Sequence, residues 1–446
     1  MNLTSFAGRL RADHMVRNSA YLMFSSALQA LLGFVFWIIV ARLFIPADVG
    51  RAGSLISATT VIAYLALLGL NSTLVRFLPT AADRDALITA GLVVVAGGGG
   101  LIGLGYVLLT PVIAPQLAFI AHEWLLAAGF VVLTAAASVN LLTDSVFIAS
   151  RRAVFCAVTD GAVGGSGKIL AAVLLAGTGT YGVFAASTSG FAVSAGVSVV
   201  LIFAVLRWRP KLANPFATLR PLLKFSTANY AGNVLNLLPV LVVPLIVLRR
   251  LGPQDAAYYF VSFQIATLLY SAAYAVGQSF LAEGSHAGAD RRALRRRSRK
   301  ALIALYLPGV AAVIVAARWV LAVFGPEYSR HGVPALIVLA IGALPVAACN
   351  WSWTALRLSS HLRSIVISSA VYTAGICGLA WYLAPRGLAW LAAAWPLGAL
   401  AAALASSTAV AVLRSAPARH RRAAARKSRG HTPAHAAPRV IGDGPP

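Results

Sequence analysis

Residues 18–53 read NSAYLMFSSALQALLGFVFWIIVARLFIPADVGRAG. The uncharged stretch at 19–41 is about as long as the roughly 20 residues that cross a hydrocarbon core. It ends in an arginine and a proline-containing turn, and that ending recurs as RRLGPQDAAYY at 249–259. Aligning Arg42 with Arg249 also pairs Pro46 with Pro253 and Asp48 with Asp255, all at an offset of 207. Each turn follows a helix that opens on polar residues: Asn18, Ser19, Ser25, Ser26 and Gln29 in one, Ser226, Thr227, Asn229, Asn233 and Asn236 in the other. The chain therefore reads as two halves of one design. Odd-numbered helices start on the same side of the membrane in both, so the repeats run parallel, related by an axis along the membrane normal.

Working outward, apolar runs bounded by charge or by Pro and Gly predict spans near 19–41, 52–75, 86–110, 124–148, 154–176, 182–206, 225–248, 256–280, 301–322, 333–356, 364–383 and 388–412. Of 446 residues, 59% are hydrophobic and 11% charged, against roughly 45–50% and 25% in soluble domains. Too few polar side chains exist to clothe a soluble surface, which excludes an ordinary soluble enzyme. The expected fold is an all-α polytopic membrane protein with about 12 transmembrane helices in two six-helix bundles. Its parts are a cytoplasmic N-terminal segment (1–18), a first lobe (19–206), a cytoplasmic linker (207–224), a second lobe (225–412) and a disordered basic cytoplasmic tail (413–446). The first span is too long for a signal peptide and no small-residue cleavage site ends it, so it is expected to stay in the mature protein.

The net charge of +25 would suit a nucleic-acid binder if it were spread over a surface, but its distribution points elsewhere. With the N-terminus inside, 29 of the Lys and Arg residues fall in inner segments and seven in outer ones (Arg42, Arg51, Arg249, Arg250, Arg318, Arg330, Arg386), with Lys168 alone inside a span. This is the positive-inside pattern. It predicts a multi-pass protein of the inner (plasma) membrane with both termini cytoplasmic, and no nucleic-acid partner. The tail sequence ARHRRAAARKSRG either touches anionic membrane lipids or merely orients and solvates the chain. Cys156, Cys349 and Cys377 lie in or beside apolar stretches with no CxxC pair, so neither a disulfide framework nor a metal site is expected.

RNSAYLMFSSALQALLGFVFWIIVARLFIPADVGRAGSLIS (17–57), followed by LGLNSTLVRFLPTA (68–81), resembles the start of the polysaccharide-biosynthesis and oligosaccharide flippases of the multidrug/oligosaccharidyl-lipid/polysaccharide (MOP) exporter superfamily. The resemblance lies in the sequence of a first helix, Ala41–Arg42, the Pro46-x-x-x-Gly50 turn, a second helix and the Arg76-Phe-x-Pro79 stretch, and it runs over about 15–412. It implies a MATE/MOP-like fold without cofactor, working by alternating access to move a lipid-linked oligosaccharide, on undecaprenyl diphosphate, from the inner to the outer leaflet. Glycosyltransferases or a polymerase of the same pathway would be its partners. The rivals are a multidrug or small-molecule exporter of the same fold and a peptidoglycan-precursor flippase. A membrane glycosyltransferase is disfavoured because the outer loops are short and nearly uncharged.

An anionic, hydrated headgroup needs a polar cavity with cations, so the charges in or near spans are the candidates. Arg42 and Arg249 stand at the outer ends of helices 1 and 7, which are expected to face each other across a central cleft. Their guanidinium forks either take phosphate oxygens or snorkel to headgroups. Lys168 either touches substrate or pairs with Asp144 or Asp160. Asp144 and Asp160 are the candidates for ion coupling, unless Asp144 forms an interfacial salt bridge with Arg151 or Arg152. Arg17 and Arg76 either meet the diphosphate on the cytoplasmic side or anchor the chain there. Gln29, Asn229, Asn233 and Asn236 either line the cavity or bond helix to helix. Pro239 and Pro244 are expected to kink helix 7. GAVGGSGKI (161–169) fails the phosphate-loop pattern at Ala162 and Ile169.

Overall fold

The computed structural model describes residues 14–211, 214–284, 291–358 and 362–408, and is helical throughout them apart from turns and short connections. The long helices of the first half are α1 (His14–Leu43), α2 (Pro46–Ala66), α3 (Arg84–Ile113), α4 (Trp124–Ala149), α5 (154–174) and α6 (Gly179–Leu206). Those of the second are α7 (Pro215–Arg250), α8 (Pro253–Gly284), α9 (Arg291–Phe324), α10 (Val333–Leu358), α11 (Leu362–Leu383) and α12 (Leu388–Thr408). The offset of 207 returns in the helix boundaries: it separates Leu43 from Arg250, Pro46 from Pro253 and Arg84 from Arg291.

Among the described residues, eight helices are long and apolar enough to cross a membrane: α2, α3, α4, α6, residues 306–324 of α9, 333–354 of α10, 364–386 and 388–408. The protein is thus a multi-pass, all-α membrane protein, but this measure supports eight of the twelve expected spans. In α5 a π-helical stretch, Ala157–Gly164, interrupts the α-helix. In α1 the apolar helix satisfying the measure is the shorter Leu28–Leu43. The outward face is apolar, as lipid requires: Leu101, Val112, Leu174 and Val315 are all exposed.

Three expected boundaries shift. The second span was placed at 52–75, yet α2 stops at Ala66 because Leu68 (φ 48°) and Gly69 (φ 75°) turn left-handed, and a short helix, Leu70–Phe77, follows. α7 starts at Pro215, inside the expected linker, since proline is favoured in the first turn where its missing N–H costs nothing. α9 starts at Arg291, so the basic run ahead of the expected span at 301–322 is helical. The expected tail, 413–446, lies outside the described residues.

α2 is the hub. It lies against α3, α4, α6, α7 and α8 because its small residues let backbones approach. A Cβ on Gly50 would collide with the carbonyl oxygen of Pro253 and sit 2.7 Å from the Ala257 nitrogen; one on Gly53 would lie 2.7 Å from the Phe260 ring. Ala257 and Phe260 are the residues 207 beyond Gly50 and Gly53. Positions paired by the repeat therefore touch each other, as they must where a pseudo-two-fold axis passes between two elements. Trp37 closes on Phe260 with ring centroids 4.8 Å apart, and Phe34 meets Phe324 edge-on at 5.3 Å.

Candidate transport site

The interior polarity is concentrated in the first half. Asn140 and Asp144, one turn apart, share a face of α4, opposite Asp160 in the π-helical stretch of α5. Asn140, 2% exposed, donates from Nδ2 to Asp160 Oδ1 at 3.0 Å. The carboxyls of Asp144 and Asp160 lie near each other beside Asn140. The Oδ1 atoms of Asn140 and Asp144 are enclosed and have no partner. Two buried acceptors without donors leave room for a proton or a cation to be bound.

The backbone explains the position of Asp160. α5 is wedged between α1 and α6: a Cβ on Gly165 would strike Leu32, one on Gly161 would lie 3.0 Å from Leu28, and one on Gly164 would meet Ser194 Oγ. Ser194 Oγ donates to the Thr159 carbonyl at 2.8 Å, satisfying a backbone group within the π-helical stretch. The glycines of GAVGGSGK are thus helix-packing residues.

Lys168 pairs with neither Asp144 nor Asp160, contrary to one expected alternative. Ion pairs among the described residues involve Arg51–Asp48, Lys211–Asp83 and Glu327 with Arg330 and His331. The Lys168 ammonium instead lies 5.5 Å from the centre of the Phe36 ring and beside Gly33, both on α1. Lying beyond Asp160 along α5, it points to a different neighbour. Arg151 and Arg152 are exposed and make no ion pair with Asp144, so the expected interfacial salt bridge is absent.

Arg42 is committed to backbone. Its Nε donates to the Val323 carbonyl at 3.0 Å and its Nη2 to those of Val323 and Ala322 at 2.8 and 3.3 Å, capping the end of α9. Arg249 is exposed, and its neighbour Arg250 stacks 3.7 Å over the Trp381 ring. α1 packs on α5 and reaches α9, while α7 packs on α11, α2 and α3. Arg76 is exposed, with its guanidinium 5.4 Å from the Phe77 ring, and Gln29 is exposed on α1. Asn236 is half-buried on α7 with an enclosed, unpartnered Oδ1. The side chains of Arg17, Asn229 and Asn233 lie outside the described residues. Tyr230 hydroxyl donates to the Leu65 carbonyl, tying α7 to the far end of α2.

At that far end, Lys211 Nζ bonds Asp83 Oδ2 at 2.8 Å, and Asp83 also caps α3 by accepting from Ala86 N. The lysine's hydrogen bond holds the Asp83 carboxyl below its ordinary range and pushes Lys211 up. Sequence reading missed Asn140, although an amide one helical turn before a span aspartate was the available signal.

A family model for polysaccharide biosynthesis proteins matches residues 39–331. The chain belongs to that family. Among solved structures it is similar to an inward-facing multidrug resistance MATE family transporter of the MOP superfamily, with a TM-score of 0.68 at 14% identity, over 88% of this chain and 99% of that one. It is similar to the lipid II flippase MurJ in an inward closed conformation, with a TM-score of 0.68 at 12% identity, over 87% of each chain. An outward-facing MATE transporter matches with a TM-score of 0.63 at 15% identity, over 90% and 96%. No curated protein matches the chain. At these identities the structural likeness shows the fold alone: the family member has the MOP transporter fold.

Proposed function

We propose that the protein moves an amphiphile across the membrane by alternating access, with a proton carried at the Asp144–Asp160 pair. The observation that supports it is the placement of two carboxyls around Asn140: Asp160 accepts from its amide, and Asp144, one turn along α4, has an enclosed, unpartnered Oδ1. Such groups are costly in hydrocarbon and mark ion or proton paths. In this reading α1–α12 all span the inner membrane as two six-helix lobes, 19–206 and 225–412, with both termini cytoplasmic. The Arg42 end then faces out and the Asp83 end in.

For the cargo, the similarity to multidrug transporters and a lipid II flippase, together with a protonatable pair, favours a proton-coupled exporter of amphiphilic small molecules or a peptidoglycan-precursor flippase. Membership of the polysaccharide biosynthesis family supports the second reading, a lipid-linked oligosaccharide flippase. In it Lys168, Arg42, Arg249, Arg76, Arg17, Gln29, Asn229, Asn233 and Asn236 are the candidates for cargo contact. Proteoliposomes with an imposed pH gradient separate the two. Export of a cationic dye or translocation of lipid II supports the first reading; translocation of undecaprenyl-diphosphate sugars alone moves the assignment to the second. Transport indifferent to the pH gradient sinks the proton-carrying role.

A further inference from the structure

Arg42 belongs to one half of the molecule, and the carbonyls it holds belong to the other. Three donor–acceptor contacts of 2.8–3.3 Å join the last turn of α1 to Ala322 and Val323 in the last turn of α9. The end of a helix leaves carbonyls without intrahelical partners and carries the negative end of the dipole, so a guanidinium fork is well matched to it. Around this fork lie the other closures between the halves at the same end of the bundle: Phe34 on Phe324, Trp37 on Phe260, and Gly50 against Pro253 and Ala257. These are apolar or steric and lack direction; Arg42 supplies directed hydrogen bonds.

The repeat sharpens the contrast. Both arginines are exposed, but Arg249, 207 residues on, makes no hydrogen bond or ion pair among the described residues, so the fork exists on one side of the pseudo-axis only. A symmetric scaffold would not require one arginine bound and its twin free. We propose that Arg42 is a positioning residue for the transport cycle, a latch that holds the outer seam shut and releases when the two halves separate. With Nε and Nη2 engaged by carbonyls, the fork of the guanidinium is turned to α9 in the closed state.

This inference rests on the alternating-access reading and on the proposed orientation, and is independent of the cargo. Val40, fully buried in the core shared by both halves, provides a reporter: Val40→Cys is labelled by a membrane-impermeant thiol reagent from outside only when the seam opens, with the parent protein setting the background of the three native cysteines. Adding Arg42→Gln is expected to raise the labelling rate about tenfold, while adding Arg249→Gln leaves it unchanged. A second arm needs no weakened seam: Arg42→Cys with Val323→Cys, joined by a short bifunctional thiol reagent, is expected to block opening until the bridge is reduced. Labelling indifferent to Arg42→Gln, or equally raised by Arg249→Gln, overturns the latch, as does a bridged protein whose seam still opens. A seam that opens under no condition in any variant would instead count against alternating access itself.

Discussion

The α4–α5 junction and its counterpart 207 residues later have the same place in the bundle and opposite chemistry. Asn140, Asp144, Asp160 and Lys168 become Ala347, Trp351, Ile367 and Gly375. In the second half Trp353 Nε1 donates to Ser368 Oγ at 2.8 Å, Trp395 Nε1 donates to the Tyr259 hydroxyl at 2.7 Å, and Tyr372 lies edge-on to both indoles. Both indole N–H groups are satisfied within a dense aromatic cluster. In the first half an enclosed carboxyl oxygen of Asp144 lacks a partner and the Lys168 ammonium meets a ring rather than a carboxylate, whereas the enclosed, unpartnered atoms of the second half, on Asn236, Tyr328 and Ser369, are uncharged. The difference is one of charge: the first half keeps ionisable groups in its interior where the second has aromatic and aliphatic side chains, a cost tolerated where such groups act.

The largest effect that would break this contrast is loss of drive. Asp144→Asn and Asp160→Asn each remove one of the two carboxyls proposed to carry the proton, and transport driven by a pH gradient is expected to fall to the liposome background while the protein still inserts. Retained drive in both single variants would dissolve the distinction between the halves. Next in size, Lys168→Met removes an ammonium that no carboxylate offsets; thermal unfolding in detergent should show a gain of up to about 3 kcal/mol, accompanied by slower transport. A stability loss would mean that Lys168 is part of the packing, like its second-half counterpart.

Ser368→Ala tests the second half. It strips the acceptor from Trp353 and should cost about 1 kcal/mol of stability with little change in transport rate. The smallest effect lies outside the spans, at Asp83 and Lys211. Asp83 is held below its ordinary value, so its contribution is present above the carboxylate's unfolded value and is lost as pH falls through its lowered one. Lys211, pushed up, contributes below its unfolded value and loses that contribution as pH rises through the raised one. Proteolysis near residue 211 should therefore be slowest between these limits and faster in acid, and Asp83→Asn should flatten the acid limb. Both groups are exposed, so high salt should shrink the effect.

Much of the fold was legible from residue patterns because the bilayer imposes it. Apolar length follows from a constraint that acts on local sequence, and the 207-residue offset returns in the helix boundaries. The break at Gly69 and the start of α7 at Pro215 were harder to place, since apolar runs continue through the first and the polar face of α7 disguises the second. At the site, Asp144 and Asp160 were identifiable as rare charges in apolar runs.

Residue patterns alone set this chain in a membrane, marked the turn that recurs 207 residues on, and picked out the few charged residues of its interior. Only the tertiary structure decided their partners. Asp160 turns to Asn140 and Asp144 because α5 is squeezed into a π-helical stretch between α1 and α6; Lys168 turns to Phe36; and Arg42 closes on α9, 280 residues away. Membrane insertion is governed by the transfer energy of each segment, which is local and additive along the chain, whereas partner choice depends on which helix faces meet, and that is settled by packing between distant segments.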